Sequence, residues 1–208
     1  MRAGWMHRWA ARGMTVAAIA LVLAGAVSCG QQNTASKSPS YIYIDSLLAY
    51  PGSAPNVSPA NAVQSDVITK GAIYEDMAIV KLRMAVKDIG TANAPTLPTW
   101  TNSITVTRYH VDFVRADGRN TPGVDVPSPF DGGATATIDA NGLSLTFVLV
   151  RAQAKLEMPL SALQNNGGAS VISTIAYITF YGQDQNGNAV SVTGTVSVNF
   201  SDWADPVV

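Results

Sequence analysis

Few residues in this chain could do acid–base or metal chemistry. The chain has two histidines, His7 and His110, and His7 falls within a leader-like first 28 residues. A Ser-His-Asp arrangement would have to run through His110, and no Gly-x-Ser-x-Gly turn is present to hold a serine nucleophile at a strand end. His110 stands between Tyr109 and Val111, on the polar side of an alternating pattern, and is expected to be a surface or hydrogen-bonded structural histidine. A zinc site needs three or four ligands drawn from His, Cys and acids, which one histidine and no further thiol do not supply. Asp184-Gln185-Asn186-Gly187-Asn188 spaces oxygen ligands two apart around a glycine, making Asp184, Asn186 and Asn188 a calcium candidate. Counting from Asp184, however, the twelfth residue is Thr195 and not a bidentate glutamate, and Asn186-Gly187 is read as a hairpin turn. Paired carboxylates for glycoside hydrolysis must face each other, whereas the adjacent Glu75 and Asp76 would point to opposite faces of a strand. No catalytic set and no cofactor are expected.

Aromatic rings remain as candidate binding groups. Trp100, Trp203, Tyr50, Tyr74 and Phe130 fall in or near loops and termini, where flat rings can stack on sugars or on a partner, or else close the ends of a core. Trp100, Phe130 and Trp203 are the candidate ligand or partner contacts. The Pro- and Gly-rich stretch from Gly118 to Gly133, which carries Phe130, is the expected recognition loop.

The elements that must hold these residues read as strands. Ala78 to Lys87 is apolar at even positions with Lys81, Arg83 and Lys87 opposite, the period-two pattern of a sheet with one wet face. Ile104 to Val114 moves its apolar set from even positions (Ile104, Val106) to odd ones (Tyr109, Val111, Phe113), which predicts a β-bulge near Arg108. Tyr41 to Leu47 is β-branched and aromatic, and a Pro/Ala/Asn-rich loop follows from Pro51 to Asn61. Asp139-Ala140-Asn141-Gly142 and the run from Gly182 to Asn188 each predict a hairpin between the strands that flank them. Residues 117–133 are too dense in Pro and Gly for regular pairing, and only Pro159 to Gln164 is expected to form a helical turn. About seven to nine strands with no long helical period predict an all-β, antiparallel sandwich.

The start of the chain has the order of an export signal. Arg2, Arg8 and Arg12 precede a nearly apolar run from Met14 to Leu23, too short to span a bilayer, and small residues lead into Cys29, the chain's one cysteine. Ala24-Gly25-Ala26-Val27-Ser28-Cys29 resembles the lipobox of bacterial lipoproteins, with Ala26 where that family most often has leucine. The resemblance implies a thiol carrying diacylglycerol, cleavage before Cys29 and a membrane anchor through the lipid. Gly30, where an aspartate would signal inner-membrane retention, implies the outer membrane. Gly30 to Ser40 is polar and is expected to be a flexible tether. The expected organisation is a signal peptide at 1–28, a lipidated terminus and tether at 29–40, and a β-sandwich at 41–208.

The leader carries three of the thirteen basic residues and none of the fourteen acids, so the remainder has a formal charge of −4. That balance lacks the clustered basic face of a nucleic-acid binder. The segment from Ile178 to Phe200 resembles the last hairpin of immunoglobulin-like and fibronectin type III-like bacterial domains, without the Cys…Trp…Cys arrangement of antibody domains. Together the readings predict a non-enzymatic, lipid-anchored envelope protein with a protein partner or a glycan ligand. The alternative is a carbohydrate- or peptidoglycan-binding surface module using loop aromatics.

Overall fold

The computed structural model describes residues 36–203. Cys29, the leader and the first part of the expected tether lie outside the described residues. The described chain is all-β. β1 (Ser40–Tyr50), β3 (Asp76–Val86) and β8 (Leu143–Val150) form a three-stranded sheet in the order β1-β3-β8. β2 (Ala62–Asp66), β6 (Ile104–Val114), β7 (Phe130–Ile138), β9 (Ile172–Asp184) and β10 (Ala189–Ser201) form a five-stranded sheet in the order β2-β10-β9-β6-β7. Every pairing is antiparallel except that of β2 with β10, which is parallel. A two-stranded ribbon, β4 (Gly90–Thr91) with β5 (Ala94–Pro95), stands in the long connection between β3 and β6.

Alternation decides which face each strand buries. Ala78, Val80, Leu82 and Met84 of β3 are buried while Lys81 and Arg83 are exposed, as the period-two pattern requires. In β6 the register shifts between Val106 and Arg108 against both neighbours: Thr107 is the extra residue against β9, whereas against β7 the extra residue lies on β7, between Gly133 and Ala136. The bulge lets Ile104 and Val106 share the buried face with Tyr109, Val111 and Phe113. Fully buried Ile42, Leu82 and Leu149 of the three-stranded sheet join Ile104, Ile138 and Ile178 of the five-stranded sheet in one core. At its centre the Tyr109 ring meets Phe147 edge-on at 4.8 Å, and Phe147 meets Phe180 at 5.3 Å, a ring geometry that favours packing across two sheets.

Three local expectations are corrected. Asn141-Gly142 makes a turn, with Gly142 at φ +83° and its N–H donated to the Asp139 carbonyl, but not a hairpin: β7 pairs with β6 and β8 pairs with β3. The turn carries the chain from one sheet to the other because both flanking strands bury core residues against different partners. The Pro/Gly-rich stretch ends earlier than its composition suggests, since Phe130 to Gly133 already pair with Val111 to Arg108. Helical structure is also more extensive than the single expected turn at Leu160–Leu163. It includes α1 (Ala152–Leu156), which buries Ala154 and Lys155, and a 3-10 turn at Trp100–Asn102. By contrast, β9 and β10 pair through their whole length across the Gln185–Asn188 turn, as their sequence predicts.

The register defines two ends of the strand assembly. One end gathers Ser36–Ser40, the connection from Lys87 to Ser103, and the turns at 139–142 and 185–188. The Lys87 N–H donates to the Pro39 carbonyl at 2.9 Å, and Gln185 Nε2 donates to the Ser103 carbonyl at 3.3 Å. The other end gathers the loop after Tyr50, the end of β10 and Trp203.

Candidate functional site

The aromatic candidates are distributed over the molecule. Trp100 sits at the tip of the β3–β6 connection with 78% of its surface exposed. Phe130 is not available for stacking: it opens β7, is buried, lies edge-on to Tyr109 at 6.2 Å and is covered by the Arg151 guanidinium at 4.5 Å. A side chain in the first position of a paired strand must face either the core or water, and Phe130 faces the core. Tyr74 is exposed and Tyr50, at the end of β1, is half-buried.

Trp203 is half-buried and borders a groove of about 490 Å³ at the end of the molecule away from Trp100. The groove is walled by the 51–62 loop through Pro51, Ala54 and Val57, and floored by Val63 and Asp66 of β2. Asp66 organises its inner edge, with Oδ1 accepting the Trp203 N–H at 3.1 Å and Oδ2 accepting the Thr69 hydroxyl. Trp203 Nε1 is buried and has no hydrogen-bond partner among the described residues. The groove thus offers a mostly apolar wall bordered by Trp203, with the polar groups of Gln64, Asp66 and Asn199 in its lining, a composition suited to a small amphipathic ligand.

Immediately beneath this edge lies a charge pair that sequence reasoning missed. Lys155 Nζ is 2.9 Å from Asp76 Oδ2, and both side chains are 1% exposed. Asp76 also accepts the Ser65 hydroxyl at 2.5 Å and the Gly52 N–H at 3.0 Å, while Lys155 donates to the Asp66 carbonyl at 2.8 Å. Burial pushes the Asp76 carboxyl above its ordinary range, and the Lys155 charge, the Ser65 hydroxyl and the Gly52 N–H push it back. Each group is buried with its partners in place, so the pair ties α1 to β2, β3 and the 51–62 loop beneath the groove and does not face solvent as a nucleophile would. The one available signal was Asp76, an acid at an even, core-facing position of β3.

The remaining candidates are held in local hydrogen-bond networks. His110 is half-buried on the outer face of the five-stranded sheet, with Nδ1 3.3 Å from Asp131 Oδ1, and Arg108 Nη1 reaches the same oxygen at 2.8 Å. Asp184 is buried at the hairpin turn, where Oδ1 accepts the N–H groups of Asn186 and Asn188 and Oδ2 accepts Asn188 Nδ2, each at 2.9 Å. Burial alone would raise the Asp184 carboxyl. Hydrogen bonds from Asn188, Ser38 and Asn186 outweigh it and hold the group below its usual range. The calcium candidates are therefore brought together as a turn whose carboxylate is engaged by N–H donors. Among the described residues no cluster of three or more His, Cys, Asp or Glu is arranged to hold a metal.

No protein-family model matches the chain, and neither a curated protein nor a solved structure matches it.

Proposed function

We propose that the chain is a lipid-anchored, non-enzymatic cell-envelope protein whose immunoglobulin-like β-sandwich serves as a binding or structural component, held to the outer membrane through Cys29. The observation that carries the sandwich reading is the strand order. β1, β3 and β8 follow the A, B and E strands of such domains, while β6, β9 and β10 follow C, F and G, with β7 beside β6 as an added strand. The Tyr109, Phe147 and Phe180 rings pack together between the two sheets, on the strands that this reading matches to C, E and F. The anchor reading rests on the residues leading into Cys29.

Affinity purification of a C-terminally tagged full-length protein from crosslinked native membranes, with a Cys29→Ala copy as control, tests both parts. The expected result is a mature N-terminus carrying diacylglycerol on Cys29 and a defined envelope partner recovered with the lipidated protein alone. Equal fractionation and equal partners for the Cys29→Ala copy would overturn the anchor.

The groove beside Trp203 favours a second reading, a carbohydrate- or peptidoglycan-binding module. With Trp100→Phe, Trp203 is the one tryptophan downstream of the leader, and its emission must respond to peptidoglycan fragments or glycans if that reading holds.

A further inference from the structure

The connection between β3 and β6 is unlike the rest of the surface. Ile89, Leu97 and Trp100 are 76%, 72% and 78% exposed, more than any other large apolar side chains of the described residues. No Asp, Glu, Lys or Arg occurs from Ile89 to Thr107. A soluble surface loop ordinarily carries charge, and three large apolar side chains raised together on one loop mark a contact site.

Part of the loop's backbone is paired from within. The Thr96 N–H donates to the Ile89 carbonyl at 3.1 Å, the Asn102 N–H to the Thr99 carbonyl at 3.0 Å and the Ser103 N–H to the Trp100 carbonyl at 3.1 Å. Side chains take others: the Gly90 N–H donates to Asp88 Oδ1 and the Thr99 N–H to Asn102 Oδ1, each at 2.9 Å. Gly90 makes the ribbon possible, since at φ +72° a Cβ there would stand 2.4 Å from the Ala94 carbonyl oxygen. Entry into a low-dielectric layer costs several kcal/mol for each backbone group left without a partner, so internal pairing is what such a loop needs.

The position of the loop fixes the occupant. The chain enters the fold beside it: Ser36 and Pro39 lie on Lys87, whose Nζ donates to the Ser36 carbonyl at 2.5 Å and whose N–H donates to the Pro39 carbonyl at 2.9 Å. Asp88 follows directly and the apolar loop begins at Ile89. Residues 30–35 separate Cys29 from Ser36, a covalent reach of at most roughly 25 Å at the extension limit of a polypeptide. β10, with 13 residues, is itself roughly 40 Å long at the rise of a β-strand, so a lipid on Cys29 holds the loop end and not the Trp203 end against the bilayer.

We infer that the Ile89–Trp100 loop docks into the phospholipid interface of the same membrane that carries the lipidated Cys29, fixing the orientation of the domain; the inference rests on the anchor reading above. Ile89 and Leu97 enter the acyl boundary and the Trp100 indole lies at the headgroup level, where tryptophan is favoured. The opposite end, with the groove beside Trp203, then faces away from the membrane.

The experiment uses full-length protein expressed in a bacterium, purified from membranes and reconstituted into phosphatidylethanolamine/phosphatidylglycerol vesicles with and without brominated acyl chains. A Trp203→Phe variant leaves Trp100 as the reporter once the leader is removed, and the intact mass of the same sample reads the modification of Cys29. The expected result is a blue-shifted Trp100 emission that loses most of its intensity in brominated vesicles, with both effects largely abolished by Leu97→Asp. Solvent-like, unquenched emission from a protein whose mass shows the lipid overturns the loop inference and leaves the anchor standing. Blue-shifted emission that brominated lipid does not quench overturns it in favour of a protein surface or a second copy. A mass without diacylglycerol overturns the anchor reading and the inference with it.

Discussion

Lys155 Nζ and Asp76 Oδ2 stand 2.9 Å apart with both side chains withdrawn from water, joining a five-residue helix to the first residue of β3. The Lys155 ammonium reaches the Asp66 carbonyl and the Asp76 carboxylate receives the Gly52 N–H, so the same few atoms hold β2, β3, α1 and the 51–62 loop together beneath the groove. Such a pair gains little over a well-packed apolar substitute, but it tolerates the loss of one partner badly.

Lys155→Met is therefore expected to destabilise the fold by about 3–5 kcal/mol, because it strands a buried carboxylate. The double variant Asp76→Leu/Lys155→Met is expected to recover most of that loss. Urea unfolding of the two single variants and the double variant forms the necessary cycle. A double variant as unstable as the sum of the singles would show that the two groups act independently.

Asp184 gives a pH-dependent prediction. Its folded carboxyl lies below the ordinary range because Asn186, Asn188 and Ser38 hydrogen-bond the charged form more strongly than burial opposes it. A depressed carboxylate contributes stability that is fully present above its unfolded value, about 3.9 for aspartate, and is lost as pH falls through the folded value. Asp184→Asn, which turns one acceptor into a donor facing Asn188 Nδ2, is expected to cost about 1–2 kcal/mol at neutral pH. Thermal melts from pH 7 down to pH 2 should show the two proteins converging at the acid end. Calcium is expected to leave both melting temperatures unchanged, and a rise in the wild type alone would restore the metal reading of this turn.

Much of the framework was legible because it is local. The alternation in β3, the phase change in β6 and the turn between β9 and β10 each follow from a few adjacent residues. The sheet assignment of β7 and β8 was not, since Asn141-Gly142 specifies a turn and not the partners of the strands it joins. Lys155 reads as an ordinary surface lysine in Ala152–Leu156, and its partner lies far away in sequence at Asp76. The loop position of Trp100 makes it a candidate, but that the chain enters the fold beside it depends on Ser40 pairing with Val86, a long-range register.

Phe130 separates the two readings of the Pro/Gly-rich stretch. As a buried ring against Tyr109 and beneath Arg151, its replacement by alanine is expected to cost about 3–5 kcal/mol in chemical unfolding, the range for emptying an aromatic core site. A recognition residue on a solvent-facing loop would instead give a variant of unchanged stability. The size of the unfolding midpoint shift therefore decides between core and contact.

Thr107 tests the frame that carries the whole five-stranded sheet. It is the exposed extra residue between Val106, opposite Gly182, and Arg108, opposite Tyr181. Deleting it leaves a continuous alternation in which Ile104, Val106, Tyr109, Val111 and Phe113 still share one face, and Val106 and Arg108 then stand next to each other opposite the consecutive residues Gly182 and Tyr181 of β9. On the β7 side, where the same two residues lie opposite Ala136 and Gly133, the mismatch widens by one residue and one or two ladder hydrogen bonds are lost, a cost of about 1–3 kcal/mol. That is a modest fraction of the roughly 5–15 kcal/mol that holds a domain together, so the deletion variant is expected to fold with a lowered urea midpoint. Thr107→Ala keeps the residue count and loses a side chain whose hydroxyl reaches only the Tyr181 carbonyl at 3.4 Å, so it should shift the midpoint little. A deletion variant that does not fold would mean that the bulge, and not the apolar alternation, sets which residues of β6 face the core.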